Sequence, residues 1–129
     1  MIQPGIKGRQ EFAVTKENTA KVYGSGELEV FATPAMVALA EKTALESVAP
    51  HLAEGEGTVG TLVNVRHLAA TPVGMTVRCE SELVEVDRRR LVFRVELFDE
   101  VEKIGEGTHE RFIIQNERFL AKANAKGNG

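Results

Sequence analysis

The sequence predicts an α+β fold: a curled antiparallel sheet wrapped around one long central helix. Three observations carry this. One long helical stretch runs from Thr33 to Ala49, and four strand-like stretches follow it in succession. The connections between those strands are short, whereas a parallel crossover needs about a dozen residues or more, so consecutive strands should be antiparallel neighbours. A single apolar helix filling the curl of such a sheet is the economical way to bury both.

The helix is the clearest element. TPAMVALAEKTALESVA is rich in helix formers, opens on Thr33-Pro34 and closes at Ala49-Pro50. Thr33 reads as the N-cap and Pro34 as the first helical residue, where a missing N–H costs nothing. Met36, Val37, Ala40, Ala44, Leu45 and Val48 mark one wide face for burial. The strand-like stretches, rich in Val, Leu, Ile, Phe and Thr, are Thr58 to Ala70, Thr76 to Val86, Leu91 to Asp99 and Gly105 to Glu117. Breaks fall at Thr71-Pro72-Val73-Gly74, at Asp87 to Arg90 and around Asp99 to Lys103. Arg9 to Thr15 is a further extended piece that adds a strand before the helix. At 129 residues the chain is the size of one domain, spanning 1–129, with a tail from about Ala121 that reads as frayed. One helix cannot cover a sheet of this size, so an exposed edge and dimerisation are expected.

Composition bounds the function. The net charge of −3 disfavours a nucleic-acid partner. No stretch approaches the roughly 18 consecutive apolar residues of a membrane span, and the N-terminus lacks the apolar core of a signal peptide. A cytoplasmic protein without membrane contact is the expectation. Arg88, Arg89 and Arg90 read as a solvated hairpin turn, with phosphate binding as the alternative. The single Cys79 has no neighbouring His or Cys and reads as a strand residue. There is no phosphate-binding loop, dinucleotide fingerprint, nucleophile elbow or clustered metal-ligand motif, so neither a metal nor a cofactor is expected.

Three residues stand out chemically. Stepping by four from Val37 gives Glu41 and then Leu45, which puts a carboxylate in or beside the apolar stripe. Desolvation would suit it to proton transfer near neutral pH; the alternative is a stripe-edge carboxylate that reaches water or an arginine. In Val63 to Ala69, period two places His67 with Val63, Val65 and Ala69 on an inward face. A titratable imidazole there is either a satisfied core histidine or an acid–base group. Thr33 has a structural explanation as a cap, but its position at the start of a long helix offers N–H groups to an anion or oxyanion. Thr33 and Glu41 are eight residues apart, or about 12 Å along a helix, so direct contact within one chain is disfavoured. Some of the three are expected to meet across a two-fold interface. The Gly-Glu segment from Glu54 to Thr61 is either a ligand loop or a plain connection, with Gly60 permitting close backbone approach. Arg111 shares a face with His109 and Ile113 and could hold a carboxylate or phosphate oxygen; His109 and Glu110 read as an exposed strand segment.

Taken together, Phe31-Ala32-Thr33, Glu41 within the helix, Gly-Glu-Gly-Thr-Val-Gly-Thr at 55–61, His67 to Pro72, and Gly105 to Arg111 resemble the fluoroacetyl-CoA thioesterase family of hotdog proteins. The resemblance is nearly collinear from Phe31 to Arg111. It implies a hotdog fold and hydrolysis of an acyl-CoA thioester at the interface of a homodimer, a higher oligomer being possible. Thr33, Glu41 and His67 match the family's catalytic threonine, glutamate and histidine. The resemblance further implies Gly60 near the acyl thioester and Arg111 in a supporting role. Before the helix the match departs: the family's lid bears Phe, whereas Lys21 to Glu27 is short and polar with Tyr23 as its only aromatic. Thioesterase chemistry on a short or medium acyl-CoA is therefore the expectation, without a named acyl group. An enoyl-thioester hydratase or dehydratase, and a non-catalytic acyl-CoA binding module, are the alternatives.

Overall fold

A computed structural model describes residues 2–128. The elements run β1 (Lys7–Ala13), a 3-10 turn (Lys16–Asn18), α1 (Ala20–Tyr23), α2 (Thr33–Val48), a 3-10 turn (Ala49–His51), β2 (Glu56–His67), β3 (Thr76–Asp87), β4 (Arg90–Phe98), β5 (Lys103–Gln115) and α3 (Asn116–Asn128). The strands form one antiparallel sheet in the order β1-β3-β4-β5-β2. The expected α+β arrangement, a curled sheet around a long helix, is the one observed.

Two expectations about connectivity and ends are corrected. β2 runs antiparallel to β3 as expected but is not its neighbour; it pairs with β5 on the far side of the sheet. Residues 68–75 span at most about 26 Å when extended, enough to cross the roughly 14 Å that separates strands three places apart. The tail is the second correction, since Asn116–Asn128 is helical. Its Ala and Lys residues, read from sequence as fraying, are good helix formers. Gly129 lies outside the described residues.

α2 packs its Ala35, Met36, Leu39, Ala40, Ala44 and Val48 into the curl of the sheet. Val77, Leu83, Leu91, Phe93, Val95 and Leu97 meet it there. The buried stripe is therefore rotated from the predicted one. Val37 is only partly buried and Leu45 is 38% exposed, so the ridge Val37–Glu41–Leu45 flanks the core. Cys79 is buried beside Thr43, and burial pushes its thiol up to about 11, which leaves it an inert strand residue. Arg88 and Arg89 form the β3–β4 hairpin turn as expected, Arg88 with φ 57°, whereas Arg90, also expected in the turn, opens β4 and pairs with Glu85 and Glu110. No described helix is long and apolar enough to cross a membrane.

The strand β2 contains the feature that shapes the site. Its register against β5 slips between Gly60 and Leu62, so Thr61 is a bulged extra residue. Before the bulge, Thr58 and Gly60 face inward with Ile113 and Arg111. After it, Val63, Val65 and His67 face inward with His109, Gly107 and Gly105. Gly60 and His67 are seven residues apart and would lie on opposite faces of a regular strand; one bulge puts both on the inner face.

Candidate active site

Thr33 is the first residue of α2, not its cap. Ala32 holds the cap position and makes no side-chain cap bond, and Pro34 is accordingly the second helical residue. The Thr33 hydroxyl is thus free, and its Oγ1 lies 2.7 Å from His67 Nδ1. β2 ends at His67, which projects from its inner face towards the start of α2. Burial lowers His67 from its ordinary 6.5, with the nearby Ala69 backbone opposing the shift in part. Burial thus favours the neutral imidazole, and in its Nε2–H tautomer Nδ1 accepts from the Thr33 O–H. Nε2 is buried and makes no hydrogen bond among the described residues. A pocket of about 340 Å³ opens here, lined by Ala20, Val30, Phe31, Thr33, His67 and Ala69.

Glu41 stands apart from this pair. Eight residues of helix separate it from Thr33, and its Oε2 lies 3.7 Å from Arg111 Nη1, with the Glu41 side chain 41% exposed. Of the two readings of Glu41, the stripe-edge carboxylate that reaches an arginine is the one observed. The carboxylate sits directly above Gly60, so closely that any Cβ there would collide with Oε2. That contact is the physical reason for glycine at position 60.

Arg111 is buried and fully engaged. Its Nε donates to Thr58 Oγ1 at 2.8 Å and its Nη2 to the Thr58 carbonyl at 2.9 Å. Burial lowers Arg111 somewhat, with Glu41 opposing the shift, and the group remains cationic. Its third partner was expected at the surface: His109, which is fully buried, with Nε2 3.2 Å from Arg111 Nη1. Glu110, on the other face, is half-buried and receives two hydrogen bonds from Arg90. The shared inward parity of His109, Arg111 and Ile113 was legible in sequence. Expecting a strand with three ionisable residues to be exposed hid the burial. Thr58 carried no sequence signal beyond its place in a strand.

The chain therefore holds two separate polar clusters: Thr33–His67 at the start of α2, and Glu41–Gly60–Arg111 about 20 Å further along β2. A sequence model of the family described as fluoroacetyl-CoA-specific thioesterase matches residues 14–117. The chain belongs to that family. Among its relatives, the fluoroacetyl-CoA thioesterase of Streptantibioticus cattleyicolor is 50% identical over 98 residues, covering 76% of this chain and 70% of that protein. The crystal structure of the fluoroacetyl-CoA thioesterase FlK superposes with a TM-score of 0.91 at 41% identity over 98% of each chain. A hypothetical Thermus thermophilus protein of the thioesterase superfamily gives 0.91 at 31% identity, covering 99% of this chain and 95% of that one. Membership in the thioesterase family identifies the curled sheet and its helix as a hotdog fold. The family match spans both clusters, from Thr33 through Arg111, together with the polar segment 21–27 that precedes α2.

Proposed function

We propose that the protein hydrolyses a short or medium acyl-CoA to the free acid and CoA, at a site completed by a two-fold partner. Thioester hydrolysis comes with the family; the acyl group, the residue roles and the dimer are inferred. The observation that carries the reading is the Thr33–His67 pair, 2.7 Å apart beside a pocket whose wall is largely apolar, with Val30, Phe31, Leu68 and Ala69. His67, neutral and accepting from Thr33, takes the hydroxyl proton, either from Thr33 itself or from a water that Thr33 holds. The attacking oxygen adds to the thioester carbonyl, the tetrahedral intermediate expels the CoA thiolate, and the histidine returns the proton to sulfur. Where Thr33 itself attacks, a water activated by His67 then hydrolyses the acyl ester on its oxygen, releasing the acid and returning the proton to Thr33. Backbone N–H groups at the start of α2 or at Gly60 are the candidate oxyanion donors. In support of the substrate class, a Thr-to-Ser variant of FlK was solved in complex with acetyl-CoA.

The dimer is argued from what one protomer leaves open. Residues Gly60 to Asn64 of the edge strand are exposed, with Leu62 44% and Val63 36% accessible, beside the uncovered Leu45 of the helix ridge. Two β2 strands pairing antiparallel about an axis near Val63 would lay Gly60 and Glu41 of one protomer beside the His67 end of the other. That arrangement would unite the half-sites and offer the unpartnered His67 Nε2 an acceptor. A cytoplasmic location, and no nucleic-acid or membrane partner, accompany this reading.

Free-CoA release over a panel of acyl-CoAs tests it. Turnover should be lost in Thr33→Ala, Glu41→Ala and His67→Ala; water addition to an enoyl thioester left intact, or binding without turnover, would sink it. Mixing Thr33→Ala with Glu41→Ala subunits should restore part of the activity, and no recovery in verified heterodimers would refute the shared site. A trapped acyl ester on Thr33 would identify covalent attack.

A further inference from the structure

His109 is a fully buried imidazole that the chemistry above does not use. Its ring is fixed from three sides. Nδ1 lies 2.8 Å from the Leu62 carbonyl of β2, which only accepts, so Nδ1 carries the proton. Nε2 is then the acceptor, and it faces Arg111 Nη1 at 3.2 Å. Phe93 of β4 stacks on the ring with centroids 6.1 Å apart, and Glu41 from α2 lies across Arg111.

We infer that His109, as the neutral Nδ1–H tautomer, is a positioning residue that aims Arg111 at Glu41. The guanidinium is planar, and Thr58 already takes Nε and Nη2. Nη1 carries two hydrogens: His109 accepts one, which leaves the other directed at the Glu41 carboxylate. A protonated His109 would put an N–H where the acceptor must be and a second cation 3.2 Å from the first. Arg111 would then have to turn away from the ring, and Glu41 would lose its guide above Gly60. Burial supports the neutral form by lowering His109 from 6.5; the Leu62 carbonyl opposes that shift, Arg111 adds to it, and Glu41 and Glu110 oppose it. A purely structural histidine would need only the Leu62 bond and the Phe93 contact. The Nε2–Arg111 bond is what a packing role leaves unexplained.

The inference rests on the proposed thioesterase site for its kinetic consequence, and the side-chain NMR signals read it independently. Two substitutions separate the ring nitrogens. His109→Asn keeps an N–H near the Nδ1 position and loses the acceptor, whereas His109→Gln places an amide oxygen near Nε2. With the Tm of both variants measured, His109→Asn should lower kcat about tenfold with KM little changed. His109→Gln should recover most of that loss. In 15N spectra the Arg111 side-chain N–H signals should be sharp and slow to exchange in wild type and His109→Gln, and broadened in His109→Asn. The His109 ring should show a protonated Nδ1 and a bare Nε2 at neutral pH. An Nε2–H tautomer, or Arg111 signals unchanged in folded His109→Asn, overturns the inference. So does wild-type kcat in that variant. A wild type that turns over no acyl-CoA while the Arg111 signals respond as stated refutes the thioesterase reading alone and leaves the positioning of Arg111 supported.

Discussion

The Thr33–His67 pair and the cluster around Arg111 hold their side chains by opposite means. Thr33 and His67 share one hydrogen bond at an open pocket, and His67 Nε2 has no further partner among the described residues. Arg111 and His109 are buried and held together by bonds to Thr58 and Leu62 and to each other, with Glu41 paired to Arg111 at 3.7 Å. The first arrangement spends little of the protein's stability and leaves groups free to exchange protons. The second cannot be altered without disturbing the sheet. A change at the pocket should therefore appear in turnover and hardly in stability, and a change at Arg111 in both.

The comparison breaks most clearly through the largest effects. Thr33→Ala or His67→Ala should each lower kcat by about a hundredfold or more, the scale of losing a nucleophile–base pair. Tm should move by no more than about 3 °C, as paired kinetics and calorimetry would show. Arg111→Met leaves the Thr58 carbonyl and His109 Nε2 unpaired in the interior. It should cost about 2–4 kcal/mol in urea unfolding as well as turnover; full stability in that variant would erase the contrast. Gly60→Ala sharpens it further, since the new Cβ meets the movable tip of Glu41. A loss of about tenfold in kcat is expected with under about 1 kcal/mol in stability.

The smallest effect is the pH response. His67 and His109 are both held below their ordinary 6.5 by burial. As pH falls below 6.5 the unfolded chain takes up these protons before the folded one. The stability they contribute is present above that pH and is lost as pH falls through the folded values. Activity should decline over the same acid range because His67 must be neutral to accept from Thr33. Replacing His67 should remove part of the stability slope, as denaturation at a series of pH values would measure.

Much of this was legible in the chain. The long helix between Thr33 and Pro50, the strand pattern and the inward parity of His67 and Arg111 follow from local propensity and period, which act over a few residues. The motifs carried the family. Less legible were the features set by distant contacts. Thr33 resembled a cap because Thr-Pro is a common helix start, and only the placement of Ala32 frees its hydroxyl for His67. His109 resembled a surface residue because nothing in Thr-His-Glu-Arg reveals that Leu62 and Arg111 await its two nitrogens.

The sequence by itself determined the α+β class, the helix that fills the sheet and the residues singled out as candidates for the site, because periodicity and residue chemistry are local properties. The tertiary structure alone decided the pairing of β2 with β5 and the bulge at Thr61, which turns Gly60 and His67 to one face. It also decided the separation of Glu41 from Thr33 within a protomer. Strand register is a global choice: it is fixed by which faces the whole sheet can bury against α2, a quantity that no short window of residues contains.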